Sequence, residues 1–253
     1  MQAVCPLAQH QIEIEENLCS WECKPLLRKI YESFHREILA WCHQETKLAT
    51  VEIGSGLGQI KTVIPDCITT DIFSNPWLDR TENAYRLSFA DGAVANLILF
   101  DVWHHLRYPG SALNEFRRVL TPGGRLIIFE PCMSLLGFIV YGLFHHEPIA
   151  LQQPLRWFAP NNWSESETDY YAAAGNAWRV FYRGEAAEQL NGWRLLRMRR
   201  LAALSYVASG GFRAPQLYPG RFLPLLQLLD RGLNYLPSLF ATRLLVVLEN
   251  ARH

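Results

Sequence analysis

Two groups of residues in this chain have types and spacings that can do chemistry. The first is the stretch Val51 to Gly58, VEIGSGLG, where Gly54, Gly56 and Gly58 stand at every second position behind an acid, Glu52. Glycine takes positive φ without steric cost and lets backbone approach a ligand closely. Three in alternation after Thr50, Val51, Glu52 and Ile53 therefore make a tight turn at the end of a buried strand. The N–H groups that open a helix from about Gln59 would face whatever lies over that turn. This is a nucleotide-like site in outline. Dinucleotide folds use G-x-G-x-x-G, but here the pattern is G-x-G-x-G, with Gln59 where the third dinucleotide glycine belongs.

The second group is a set of imidazoles. His104 and His105 follow the apolar run NLILF (Asn96 to Phe100) and Asp101, at the carboxyl end of a buried strand where ligands of α/β folds sit. Histidine there can accept a proton near neutral pH. His104 is the more open to such a role, whereas packing or hydrogen bonding is the plainer reading of His105. His145, His146 and Glu147 have the composition of a metal cluster. Neighbouring helical residues point about 100° apart, however, so the three do not share a face as i, i+4 ligands do, and no metal is expected. His145 is carried forward as a candidate proton acceptor at the mouth of a substrate pocket, beside the reading of a solvated helix end.

These groups need a scaffold, and the chain is long enough to provide one. Its 253 residues fit a single α/β domain with insertions. Lys+Arg and Asp+Glu balance at 24 each, so no global field draws the chain to nucleic acid. Six cysteines, at 5, 19, 23, 42, 67 and 132, lack a C-x-x-C pair, and no basic-then-apolar leader opens the sequence, which leads us to expect a reducing cytoplasm. The run Leu135 to Phe144 is about half of a membrane span. With Leu223 to Leu229 and Leu233 to Phe240 it could still lie on a bilayer surface.

Residues 1 to 24 show no clear period and are expected to form a loose arm. Pro25 to Cys42 places Leu26, Ile30, Phe34 and Ile38 at helical spacing. Strands are expected at 49–53, 67–70, 84–87, 96–100 and 125–129, with a short helix over 57–63 and another over 109–120. Little helix is expected between Asp71 and Asn83, where Pro76 interrupts the sequence. The segment 131–191 is too long for a connection and should be a folded, aromatic-rich substrate cap. A strand over 193–204, a helix over 221–229 and a last strand over 243–249 complete the sheet, so the core spans 25–130 and its completing elements 192–253.

In this order the pieces resemble the class I S-adenosylmethionine-dependent methyltransferases, especially the small-molecule group related to ubiquinone and menaquinone C-methyltransferases. VEIGSGLG is similar to that family's cofactor turn and Asp71 to its ribose-binding acid. LSFADGAVANLILFDVWHHL (Leu87 to Leu106) and FRRVLTPGGRLIIFEP (Phe116 to Pro131) resemble two further motifs. The resemblance implies a Rossmann-like, mostly parallel seven-stranded sheet whose last strand is antiparallel. It implies S-adenosylmethionine as cofactor, held by Glu52, Gly54, Ser55, Gly56, Gly58, Asp71, Ile72, Asn83, Ala84 and Asp101, with Glu52 at the amino group and Asn83 and Ala84 at adenine. Where the family has Phe-Asp before the fourth strand, this chain has Val94-Ala95. The expected activity is methyl transfer to an apolar or lipid-like small molecule. The rival readings are a cofactor-binding protein without catalysis and, more remotely, a nicotinamide-dependent oxidoreductase.

Overall fold

The computed structural model describes residues 6–44, 46–167 and 170–251, so Cys5 lies outside the described residues. Seven strands form one sheet in the order β3-β2-β1-β4-β5-β7-β6. They are β1 (Ala49–Ile53), β2 (Ile68–Asp71), β3 (Arg80–Thr81), β4 (Val94–Phe100), β5 (Leu120–Pro131), β6 (Trp193–Ala202) and β7 (Ala241–Asn250). Pairing is parallel from β3 through β5, and β7 runs antiparallel to both of its neighbours, β5 and β6. This is the expected α/β class. Every residue of β4 is buried, as its continuous apolar run requires of a central parallel strand covered on both faces. The departure Val94-Ala95 is absorbed as packing, since both side chains are buried.

The helices are distributed unevenly. On one face α3 (Pro109–Val119) brings Leu113 and Phe116 into a core with Val51, Leu97, Leu99 and the insertion residues Ala177, Val180 and Phe181. On the other, α2 (Pro25–Leu39) packs Leu27, Tyr31 and Ile38 against Ile98, Ile127 and Val247. The helix expected over 57–63 is a single 3-10 turn, Gln59–Thr62. Gly58 is left-handed (φ 65°) and Pro65 bars any extension beyond Ile64, which leaves too few residues for two α-turns. No helix joins β2 to β3. The third strand also differs from expectation. Asn83 Oδ1 accepts the Tyr85 N–H at 3.0 Å and its carbonyl accepts the Arg86 N–H at 2.9 Å, so 84–87 folds as a turn and the pairing falls to Arg80–Thr81.

The expected arm is a helix, α1 (Pro6–Cys23). Its weak periodicity concealed it: among its described side chains only Ile14 is buried, and the contacts that hold it gather at its C-terminal end. Trp21 meets the rings of Tyr31 and Phe212, and Lys24 Nζ donates to the carbonyls of Gly211 and Ala214, both at 2.7 Å. Between β5 and β6 the segment 131–191 is made of short helical pieces. It contains α4 (Leu135–Ile139), the π-turns Val140–Phe144 and Trp178–Tyr182, and the 3-10 turns Glu165–Glu167 and Ala187–Leu190. It docks on α3 at Gly110, where a Cβ would lie 2.3 Å from the Trp157 ring. Three short helices close the fold: α5 (Leu204–Ala208), α6 (Leu223–Leu233) and α7 (Pro237–Phe240).

The arginines of edge strand β6 are engaged within the chain. Arg194 pairs with Glu249 and Arg199 with Glu37, while Arg197 lies over Trp41 and Arg200 over Tyr182. Deeper, Arg243 of β7 is buried among the rings of Phe34, Phe100, Phe129 and Tyr206 and ion-pairs with Asp101. Burial opposes its charge, but Asp101 together with Tyr141, Tyr206 and Tyr31 outweighs burial and holds the guanidinium protonated well above its ordinary value. Asp101 is itself left-handed, with φ 56°. Asparagine tolerates that conformation as aspartate does, so Asp101→Asn removes the charge without adding backbone strain. Leaving Arg243 buried without its counter-charge should cost about 3 kcal/mol, read as a lower urea midpoint at unchanged m-value.

Candidate active site

The carboxyl ends of β1, β4 and β5 open into a cavity of about 610 Å³, a volume typical of small-molecule sites. Glu52, Gly54, Ser55 and Gly56 line it from the glycine turn, Asp101, His104 and His105 from beyond β4, and His145, His146 and Glu147 from the insertion. Tyr31 and His35 of α2 and the segment 210–215 contribute to its walls. The turn has the backbone its glycines anticipate. Gly54, Gly56 and Gly58 all have positive φ, and a Cβ on Gly54 would stand 2.4 Å from Val102 Cγ2, whereas Gly56 has open space around the same position. The last residue of β2 and one just beyond it brace the turn in place of a longer helix. Asp71 Oδ2 accepts the Gly56 N–H at 3.2 Å, and Asn75 Nδ2 donates to the Gly56 carbonyl at 3.0 Å. Ser55 stitches β1 to β2, its N–H donating to the Thr70 carbonyl and its hydroxyl accepting the Thr70 N–H.

Across the cavity the imidazoles converge on two carboxylates. His104 Nδ1 lies 2.6 Å from Glu130 Oε2 and its Nε2 lies 3.1 Å from Glu147 Oε2, all three side chains being buried. Burial alone would drive His104 neutral, but Glu130 and Glu147 override it and hold the imidazole charged well above its usual range. Burial would likewise raise Glu147, yet the bond and charge of His104, with His105 and the Tyr170 hydroxyl, together outweigh it and keep that carboxyl far below its usual value. His105 is different. Its Nδ1 donates to the Tyr171 carbonyl at 2.8 Å, and burial with the neighbouring His104 charge lowers its pKa to about 4. It is therefore neutral, with the Nε2 lone pair 3.5 Å from Glu147 Oε1. His145 Nδ1 accepts the Glu147 N–H at 3.2 Å, which places its own proton on Nε2.

Residues 51–128 match the family model for the methyltransferase domain, Methyltransf_11. Those residues form a methyltransferase domain, and the sheet around them has the fold of the class I S-adenosylmethionine-dependent methyltransferases. A methyltransferase of that kind from Thermotoga maritima superposes with a TM-score of 0.52 at 14% identity, covering 94% of this chain and 99% of the other. One from Archaeoglobus fulgidus gives 0.51 at 12%, covering 88% and 94%. The geranyl diphosphate C-methyltransferase of Streptomyces coelicolor, solved with Mg2+, geranyl diphosphate and S-adenosyl-L-homocysteine, gives 0.51 at 12%, covering 86% and 78%. Among curated proteins, highly reducing polyketide synthase 40 of Fusarium mangiferae is 27% identical over 165 residues, which is 54% of this chain. The chain spans about 6% of that relative's length.

S-adenosylmethionine is the cofactor of this methyltransferase domain, and the cavity fits its amino-acid end. Glu52 is buried at the cavity floor and its Oε2 has no hydrogen-bond partner, an unmet acceptor suited to an ammonium group. Of the other residues assigned to the cofactor by resemblance, Gly54, Ser55, Gly56 and Asp101 line the cavity. Gly58, Asp71, Ile72, Asn83 and Ala84 lie outside its lining. Asp71 faces the turn and Asn83 Nδ2 donates to the Glu165 carbonyl at 3.0 Å. Among the catalytic candidates, His104, His105 and His145 all face the cavity. Sequence reasoning missed Glu130 and Arg243. Glu130 had a signal, being the lone charge at the end of the buried strand LIIFE, where burial demands a partner.

Burial and the nearby charge of Asp71 push the Glu52 carboxyl up to about 7. A cationic amino group binds the ionised form, so affinity for S-adenosylhomocysteine should rise roughly tenfold from pH 6 to pH 8. Without ligand the sign reverses: the folded pKa lies above the unfolded one, so the stability contribution is full at low pH and fades as pH rises through 7. Glu52→Gln should flatten both profiles, measured by calorimetric titration and thermal unfolding across that range.

Proposed function

We propose that this domain transfers a methyl group from S-adenosylmethionine to an apolar or lipid-like small molecule. The observation that carries this reading is a single cavity with the unpartnered Glu52 and the glycine turn at its floor and the His105–Glu147 face opposite. When bound, S-adenosylmethionine supplies an electrophilic methyl on sulfur, and the displacement is in-line. The task left to the chain is therefore to align the acceptor and to receive the proton or charge it gives up. His105 suits the second task best, because His104 is engaged at both ring nitrogens and His145 Nδ1 is occupied by backbone.

The apolar character of the acceptor is supported by the segment that closes the cavity. Val140, Tyr141 and Phe144 line it, while Leu135, Ile139, Leu143 and Phe144 turn largely to solvent. The neighbouring α6 and α7 expose Leu225, Leu228, Leu229 and Leu239. No described helix is long and apolar enough to cross a membrane. We place this face against a lipid surface from which the acceptor is taken, in the cytoplasm, where the free thiols stay reduced. The name of the polyketide synthase relative accords with an acceptor bearing an aliphatic chain. Neutral overall charge argues against a nucleic-acid substrate.

The direct test is titration with S-adenosylmethionine and S-adenosylhomocysteine, followed by incubation of the labelled donor with fractionated metabolite and lipid extracts. Binding of both and label in an apolar fraction are expected. Failure of either ligand to bind at millimolar concentration would sink the proposal. Binding without any labelled product would favour a non-catalytic cofactor-binding protein, a reading supported by Asp71 and Asn83 being engaged away from the cavity. Co-sedimentation with liposomes should fall when Leu143 and Phe144 are changed to Ser.

A further inference from the structure

His105 meets Glu147 at the edge of the cavity. Its Nδ1 lies 2.8 Å from the Tyr171 carbonyl, which leaves Nε2 directed at a carboxylate oxygen 3.5 Å away. Glu147 Oε1 already takes the Tyr170 hydroxyl at 2.8 Å, and its other oxygen meets His104 Nε2 at 3.1 Å. One group of three metal-ligating side chains is brought together among the described residues. It consists of His104, His105 and Glu147, with one ligand atom from each, all within 4.8 Å of one another.

The outer partners are those a metal site requires. Metal-bound histidines donate their second ring N–H to a carboxylate or a carbonyl, which fixes the tautomer and aims the other nitrogen. His104 Nδ1 has Glu130 and His105 Nδ1 has the Tyr171 carbonyl, so both Nε2 atoms are turned toward Glu147. A metal about 2.0–2.2 Å from each donor holds its ligands roughly 3–3.5 Å apart, close to the two separations already present. The charge is also favourable. The cluster holds two carboxylates, Glu130 and Glu147, whose charge a dication would balance, any proton on His104 Nε2 leaving to solvent.

We propose that His104 Nε2, His105 Nε2 and the Glu147 carboxylate bind one divalent transition-metal ion at the edge of the cofactor cavity. Two imidazoles and one carboxylate suit zinc or ferrous iron better than magnesium or calcium. Three protein ligands leave coordination positions open toward the cavity, where His145 and His146 also stand. An acceptor hydroxyl or enol bound there would give its proton to solvent more readily, the metal holding the oxyanion until the methyl of the sulfonium is transferred and the neutral thioether leaves. That use rests on the methyl-transfer reading and would replace His105 as the proton acceptor, since its Nε2 lone pair is then on the metal, whereas the site itself rests on the geometry alone.

The test uses the full chain, stripped with chelator, titrated with Zn2+ by calorimetry and with Co2+ by visible absorption. One ion per chain is expected, with intense Co2+ bands of low coordination number. His105→Ala and Glu147→Gln should each weaken binding at least tenfold, and Glu130→Gln, which leaves the ligands but frees the His104 ring, by about 10–100-fold. Circular dichroism confirms that each variant is folded, and Glu147→Gln, nearly isosteric, is the variant least able to disturb the fold. The proposal is overturned if neither ion binds stoichiometrically, or if binding is indifferent to His105→Ala and Glu147→Gln. Titrating S-adenosylhomocysteine into the same stripped sample separates the two readings. Its binding without any metal site leaves methyl transfer standing, and a metal site without its binding does the reverse.

Discussion

The bond between His104 and its two carboxylates is the constraint on which this site depends. Glu130 belongs to the end of β5, His104 to the turn after β4, and Glu147 to the insertion, so one imidazole ties two sheet strands to the cap. The backbone repeats the tie. Trp103 N–H donates to Glu130 Oε1 at 2.6 Å and the His104 carbonyl accepts the Ala173 N–H at 3.0 Å. Each charge is costly to bury alone, and the three are tolerated together only in this arrangement. The cap is therefore positioned over the cavity by electrostatics at its inner edge and by aromatic packing, Trp103 on Phe181 and Trp157 on Gly110, farther out.

The opposite side of the cavity is built with little helix. Behind the glycine turn there is a single 3-10 turn, and nothing helical separates β2 from β3. The turn is steadied instead by side chains, Asp71 at the end of β2 taking the Gly56 N–H and Asn75 just beyond it donating to the Gly56 carbonyl. This explains why an acid expected to face a ribose is found facing backbone. It also leaves Glu52, buried and with an unpaired oxygen, as the strongest ligand-seeking group of that wall.

Arg243 joins these two halves from below. Its guanidinium pairs with Asp101, which lines the cavity, and is enclosed by rings from α2, β4, β5 and α5. A cation among aromatic faces gains quadrupole attraction without water, and an arginine keeps its charge where a lysine would lose it. The left-handed Asp101 is thus held by its partner, and through it the start of the His104 turn.

The sequence by itself determined the sheet, the glycine turn, the cofactor class and the presence of folded elements between β5 and β6. Local composition suffices for each: a continuous apolar run can only be a central strand, alternating glycines only a tight turn, and a long aromatic stretch between strands only a folded insertion. It also marked His104, His105, His145 and Glu147 as separate features. What it could not do was join them, because adjacency along a helix rules out a shared face for 145–147 while saying nothing of residues some 40 positions earlier. Tertiary structure alone decided that Glu147 meets His104, that Glu130 lies behind it, that Asn83 turns 84–87 away from the sheet, and that residues 6–23 form a helix. Each of these rests on a particular side-chain hydrogen bond or a weakly amphipathic segment, and neither leaves a period in the sequence to be read.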